Sequence, residues 1–212
     1  MDNYEIIALI ASGIVTIAIA AAILIPVIVR ENRLKKGVYG RLKIYSALKR
    51  FASFRNFKVL SNVTIKQGGK SAYFENIMVS FYGIMAVSTI NDKSEYYGER
   101  RARNWTKITE SGDGKSQIKE SVANIVLEGE DNMSLLREVF SHKKIYGLQI
   151  EQFVVLTRRK KHGAAQCFLS GCPEILKFSE FKKNLHKVKY EKDNDVDVDA
   201  VVAAITAAGE NK

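Results

Sequence analysis

The chain has 212 residues, of which 46% are hydrophobic and 26% are charged, and this balance excludes a chain that is disordered throughout. The length suits one compact domain with an accessory segment better than two full domains. The formal net charge is +10, but residues 30–189 hold 31 basic and 15 acidic residues, a net charge of +16. A domain this basic indicates an anionic partner, either nucleic acid or the acidic surface of a membrane.

Residues 6–29 form an apolar stretch without a single charged side chain. A helix of that length would reach about 36 Å, enough to cross a hydrocarbon core of about 30 Å. The alternative is a cleaved signal peptide, which needs a basic start and a shorter apolar core, whereas this chain begins with Asp2 and Glu5. The sequence therefore predicts one transmembrane helix over 6–29, with the lipid bilayer as a partner.

Basic residues directly after this stretch predict its orientation. Residues 30–50 contain eight Lys and Arg side chains and only Glu31 as an acid, so the positive-inside rule places this side in the cytoplasm and residues 1–5 outside the cell membrane. The predicted organisation continues with a basic linker over 30–36 and a domain over 37–189. An acidic tail over 190–212 is expected to be flexible, because its aspartates repel one another, with Val201 to Ala208 as a candidate short helix against the basic surface.

The predicted domain begins with an amphipathic helix over 37–53, since apolar residues recur there at steps of three or four. Three strands follow, the third of which is almost wholly apolar, as expected at the centre of a sheet covered on both faces. The polar segment 91–116 has Trp105 as its apolar anchor, and a helix or helix pair is expected over 117–141. Two later strands and a closing helix complete an α/β order. The predicted strands cover 57–65, 73–80, 84–90, 149–156 and 164–169, and the closing helix covers 173–185.

The segment from Tyr73 to Asn91 resembles the centre of the nuclease-related domain (NERD) family. The family typically has Ile-Asp-His-Ile-Val-Val, a Tyr-Gly turn and an apolar strand that ends in Glu-x-Lys-Asn. Here Tyr82-Gly83 forms the turn between two apolar strands, and Asn124 is placed to open a later helix. The resemblance covers about 37–186 and implies a restriction-endonuclease-like (PD-(D/E)xK) fold, a mixed sheet flanked by helices. In that fold, carboxylates hold Mg²⁺ and a lysine stabilises the developing charge.

The positions that this resemblance marks as catalytic are degenerate. Ser88 and Ile90 stand where Glu-x-Lys belongs, and neither can ligate a metal or supply a cation. We therefore predict an inactive nuclease-like module, a pseudoenzyme without cofactor or metal, that binds nucleic acid or a protein partner. Two alternatives stay open, namely a membrane-apposed scaffold and an active Mg²⁺-dependent nuclease with relocated ligands at Glu75, Asp92, Glu95 or Glu128. The degenerate positions are Arg41, Glu75, Ser88, Ile90 and Glu128.

Two basic groups far from the predicted span are candidate nucleic-acid contacts. They either line one groove for phosphate backbones or lie on separate solvated faces. The first group is Arg100, Arg101, Arg103 and Lys107, and the second is Arg158, Arg159, Lys160 and Lys161. The two cysteines are expected to be reduced, with Cys167 packed as a small hydrophobe and Cys172 in a turn. The sequence identifies no small-molecule substrate.

Overall fold

A computed structural model describes residues 38–111, 116–158 and 165–210. The chain divides into two compact units, Met1–Tyr39 and Gly40–Lys212. Every described helix and strand belongs to the second unit, apart from the first two residues of the first helix, α1 (Val38–Ala52).

A five-stranded sheet forms the centre of the second unit, in the order β1-β2-β3-β7-β9. The first three strands form an antiparallel meander, and β7 and β9 join it in parallel to β3. β3 lies in the middle of the sheet and is covered on both faces, which explains its run of apolar residues. This is the central position that the sequence predicts for it. The strands are β1 (Lys58–Gln67), β2 (Lys70–Ser80), β3 (Gly83–Ile90), β7 (Gln149–Leu156) and β9 (Ile175–Lys177).

Helices cover both faces of this sheet. On one face, α1 and α3 (Phe178–Leu185) bury side chains such as Ile44, Leu48 and Phe181 against the sheet. On the other face, α2 (Ile125–His142) packs beside α4 (Val198–Glu210), and their buried side chains include Leu136 and Ile205. Each face thus has its own hydrophobic core.

A second, four-stranded sheet follows the order β6-β5-β4-β8. A third apolar cluster, which includes Trp105, Tyr96, Ile90 and Leu156, joins this sheet to the ends of β3 and β7. Trp105 is 2% exposed and its indole N–H donates to the Glu99 carbonyl at 3.0 Å. The strands are β4 (Glu95–Glu99), β5 (Asn104–Glu110), β6 (Gln117–Ala123) and β8 (Gln166–Ser170).

The fold class predicted from the sequence is wrong. A single restriction-endonuclease-like mixed sheet preceded by a transmembrane helix is expected, but the described residues form two sheets and four helices. Most residues of 91–123 are polar, so this segment has no apolar run that would predict a strand. Its strands show instead an alternation of buried and exposed side chains, in which Trp105, Tyr96 and Val122 are on the buried side. Among the described helices, none has both the length and the apolar character needed to cross a bilayer. The span predicted over 6–29 lies outside the described residues.

Two further segments differ from the expectation. The helix predicted over 117–141 is the strand β6 followed by α2, with buried Asn124 as the N-cap of α2. The acidic tail predicted to be flexible over 190–212 contains α4, which is anchored because Val201, Ala204, Ile205 and Ala208 are buried in the core against the sheet. Apolar spacing in the second half of the tail therefore outweighs the repulsion among its aspartates.

Candidate functional site

Two of the degenerate family positions, Arg41 and Glu128, lie near the half-buried carboxylate of a third, Glu75 on β2. Its Oε2 accepts a hydrogen bond from the Thr89 hydroxyl at 2.8 Å. Burial raises the pKa of the Glu75 carboxyl above its usual range, while the bond from Thr89 and the nearby Arg41 guanidinium oppose that shift. The carboxylate of Glu128 is close enough to raise the pKa of Glu75 further.

The other degenerate positions make hydrogen bonds or packing contacts within the fold. The Arg41 guanidinium donates to the Tyr73 hydroxyl at 3.0 Å. Ser88 and Ile90 lie on β3 and pair with β7, where Ile90 is 7% exposed in the third apolar cluster. Arg41 and Glu128 thus lie near enough to Glu75 to act on its charge in opposite directions, while Ile90 belongs to the core.

The acids of the relocated-site alternative have different neighbours. Asp92 accepts from the Tyr96 hydroxyl at 2.7 Å and pairs with Lys107 at 3.2 Å. Glu95 accepts from the Tyr97 hydroxyl at 2.7 Å. No set of three or more His, Cys, Asp and Glu side chains suited to a metal ion occurs within 38–111, 116–158 and 165–210. Glu75 is thus a carboxylate near the Arg41 guanidinium, and it does not belong to a set of metal ligands among the described residues.

The first basic group does not act as a unit. Arg100 forms ion pairs with Glu130 of α2 and with Glu174 before β9, so it ties the β4–β5 turn to both elements. Lys107 is held by Asp92, whereas Arg101 and Arg103 are exposed. Two of the four predicted contacts are therefore neutralised by carboxylates. In the second group, Arg158 is described, and Arg159, Lys160 and Lys161 lie outside the described residues.

Arg158 lines a cavity of about 1070 Å³ at the carboxyl ends of β7 and β9. We call this space the basic cavity. Its described lining carries four basic side chains and one carboxylate, that of Glu180. The basic side chains are Lys43, Arg158, Lys177 and Lys182.

The aromatic ring of Phe178, the first residue of α3, organises two of these lysines. The Lys43 ammonium lies 4.2 Å from the ring centroid and that of Lys182 lies 5.6 Å from it, both within cation–π range. The Lys43 ammonium also donates to the Thr157 carbonyl at 2.5 Å, at the end of β7. Exposed Lys177 pairs only weakly with Glu180, because their charged atoms are 4.0 Å apart. The ring therefore holds positive charge in the lining of the basic cavity.

The floor of the basic cavity is apolar. It includes Leu156 of β7, Ile175 of β9 and both cysteines, which are free thiols. Burial raises the pKa of the Cys167 thiol to about 11, so this thiol stays protonated and neutral near pH 7. Cys167 lies on β8 and packs against the third apolar cluster, and Cys172 follows in a turn, which confirms both predictions.

Sequence reasoning missed Lys43, Lys177 and Lys182 as members of one site. They lie on α1, at the end of β9 and on α3, and no contiguous basic run marks them. The local signal is the segment from Lys177 to Lys182, in which two lysines flank the aromatic start of a helix. This segment reaches the basic cavity only because β7 and β9 run parallel, which brings their carboxyl ends to the same edge of the sheet.

Comparisons with known proteins return no match to this chain, whether against family models, curated proteins or solved structures. The resemblance to the NERD family stays a prediction from sequence.

Proposed function

We propose that the domain is a binding module that holds an anionic segment of a macromolecular partner in the basic cavity, without cleaving it. The observation that carries the proposal is the excess of positive charge over an apolar floor, with four basic side chains and one carboxylate in the described lining. Such a surface attracts a polyanion by electrostatics and retains it by burial of apolar groups.

Residue chemistry supports binding over catalysis. The positions that the family resemblance marks for a strand carboxylate and a lysine hold Ser88 and Ile90. Glu75 is the acid that stands at the family's first strand position, and it already accepts a hydrogen bond from Thr89 and lies near Arg41. A polyanion held in the basic cavity would contact lysines of α1, β9 and α3, which can neutralise charge but cannot activate water as a metal-bound site does.

The proposal is tested by reversing charge inside the basic cavity and, as a control, outside it. Lys177→Glu with Lys182→Glu changes two exposed lining residues. Lys66→Glu with Lys119→Glu makes the same change in net charge at two exposed strand positions that do not line the cavity. The full chain is titrated with fluorescent polyglutamate and with an oligothymidylate, and affinity is followed by anisotropy at several salt concentrations.

The cavity pair is expected to weaken binding about tenfold at low salt and to reduce the slope of log affinity against log salt by about two, because two contacts with the polyanion are lost. The control pair should stay within about twofold of the unchanged chain at about 0.15 M salt, where the Debye length of about 8 Å screens charges remote from the ligand. Equal losses for the two pairs would show a general basic surface and would contradict the proposal.

The second half of the proposal concerns cleavage. The full chain is expected to leave single-stranded and double-stranded DNA and RNA intact in Mg²⁺ or Mn²⁺, because Ser88 and Ile90 supply neither a ligand nor a cation. Products are followed on denaturing gels. Cleavage that disappears in Glu75→Ala would overturn this half and would establish a relocated active site.

A further inference from the structure

The strand β8 is the terminal strand of the second sheet, parallel to β4. In a parallel ladder the N–H and C=O groups of one residue point to the same side, and the side alternates along the strand. The N–H of Gln166 donates to the Ser94 carbonyl, and the Ser170 carbonyl accepts from the N–H of Arg100, both at 3.1 Å. The even-numbered residues of β8 therefore face β4, and Cys167 and Leu169 direct their backbone groups to the other edge. Among the described residues no strand pairs with β8 at that edge, and we call it the open edge.

This open edge belongs to the basic cavity. Ala165, Cys167 and Leu169 all line it, opposite Leu156 and Ile175 of the first sheet. A terminal strand with available backbone groups is a template for a further strand, which adds hydrogen bonds through its own N–H and C=O groups. The basic cavity thus combines a strand template, an apolar floor and a basic rim.

We propose that β8 receives an extended acidic segment of a protein partner as an additional strand. This inference rests on the proposed function, and it names the chemistry of the partner. Side chains of a strand alternate between two faces, so apolar residues would contact the floor at Leu156 and Ile175 while acidic residues meet Lys177 and Lys182 at the rim. Five residues of β8 match a segment of about the same length.

The backbone of β8 favours a peptide over nucleic acid. Cys167 and Leu169 each present a donor and an acceptor to the open edge. A peptide strand satisfies both kinds of group, whereas a phosphate chain offers acceptors alone and would leave the two carbonyl oxygens facing its negative charge. Charge alone attracts either polyanion, so the hydrogen-bonding pattern decides between them.

The decisive probe is the fluorescent peptide Glu-Val-Glu-Val-Glu-Val and two N-methylated forms of it. One form is methylated at the valine nitrogens and the other at the glutamate nitrogens, so that each loses the N–H groups of one edge of the strand. For a given direction of the bound peptide, the alternation of Glu and Val fixes which edge faces β8, because a slip by one residue would exchange the two kinds of side chain. The parallel and antiparallel directions present opposite edges, so the form that loses affinity also reports the direction of the peptide. One form is expected to bind the full chain at least about tenfold more weakly than the unmodified peptide, and the other to bind within about threefold of it.

A matched pair of variants tests the same contact from the protein side. Leu169→Pro removes an N–H that points to the open edge, and Leu169→Ala removes most of the side chain but keeps that N–H. The proline variant should bind the peptide at least about fivefold more weakly than the alanine variant, with both still folded by circular dichroism. If the proline variant fails to fold, the methylated peptides alone decide the question.

The possible failures are distinguishable. Equal affinity for all three peptides, with binding still sensitive to Lys177→Glu and Lys182→Glu, would overturn strand addition and leave the anion-binding function in place. Tighter binding of the oligothymidylate, with displacement of the peptide, would identify nucleic acid as the occupant. An affinity for peptide and oligothymidylate that ignores the lysine reversals would overturn the proposed function as well.

Discussion

Asn124 connects α2 to the second sheet through a set of hydrogen bonds that one substitution can remove. The residue is 1% exposed, and its Oδ1 accepts from the N–H groups of Val126 at 3.0 Å and Leu127 at 3.3 Å, which caps α2. Its Nδ2 donates to the carbonyls of Arg100 at 2.8 Å and Ala102 at 2.7 Å in the β4–β5 turn. The side chain therefore fixes the start of α2 against the second sheet.

Asn124→Ala is expected to lower the free energy of unfolding by about 3 kcal/mol. Loss of a helix N-cap costs about 1 kcal/mol, and each lost bond to a carbonyl costs about 1 kcal/mol more. Asn124→Asp separates these contributions, because a carboxylate still accepts from the cap N–H groups but cannot donate to Arg100 or Ala102. The aspartate variant should lose at least about 2 kcal/mol for the two lost bonds, and repulsion between its carboxylate and the two carbonyl oxygens adds to that loss.

Urea unfolding followed by fluorescence measures these differences, since Trp105 is the only tryptophan in the chain and is buried in the second sheet. The control is Asn132→Ala, whose half-buried side chain donates once, to the Tyr73 carbonyl at 3.2 Å. It should cost less than about 1 kcal/mol. An Asn124→Ala protein within about 1 kcal/mol of the unchanged chain would refute the assignment of Asn124 as a structural connector.

Three further predictions concern stability. Ile205→Ala should cost about 2–4 kcal/mol in urea unfolding, because this α4 side chain is 0% exposed, and a loss below about 1 kcal/mol would mean that α4 is not anchored. Burial raises the pKa of Glu151, but hydrogen bonds from Lys189, Tyr190 and Tyr82 outweigh burial and lower that pKa below its usual value. The ionised Glu151 therefore stabilises the protein above the unfolded pKa near 4.5, and this stabilisation is lost as the pH falls through the folded pKa. Glu151→Gln should therefore destabilise the protein at pH 7 and approach the unchanged chain in acid, and a pH-independent difference would contradict this reasoning. Gly98→Ala places a Cβ 2.5 Å from Trp105 Cδ1, so we expect about 2 kcal/mol of destabilisation and a red-shifted tryptophan emission, and unchanged emission would count against this packing.

Elements with a strong apolar period are predictable from this sequence. The helix predicted over 37–53 is α1 (Val38–Ala52), and the strand predicted over 149–156 is β7 with the same bounds. The central place of β3 also follows from its composition, because a strand covered on both faces carries consecutive apolar residues, as over 84–87. The burial of these elements can be predicted from the order of apolar and polar residues within each segment.

The second sheet could not be predicted in the same way. β6 (Gln117–Ala123) is mostly exposed, so it carries few apolar residues, and its place depends on pairing with β5 along seven residue pairs. Such pairing is a contact between segments, which periodicity within one segment does not encode. A short helix over 201–208 could be expected from the sequence, but its burial could not, because α4 packs against a sheet more than a hundred residues earlier in the chain.

The candidate site was not predictable because topology assembles it. β3, β7 and β9 run in parallel, so their carboxyl ends share one edge, and residues just after such ends line the crevice where ligands bind in open α/β sheets. Thr157 and Arg158 follow β7, while Lys177 ends β9 and Phe178 begins α3. Lys43 reaches the same edge from α1 through the Thr157 carbonyl. Positive charge from separate elements therefore meets at one edge, beside the open backbone of β8, and this convergence favours a binding site over a set of independent solvated lysines.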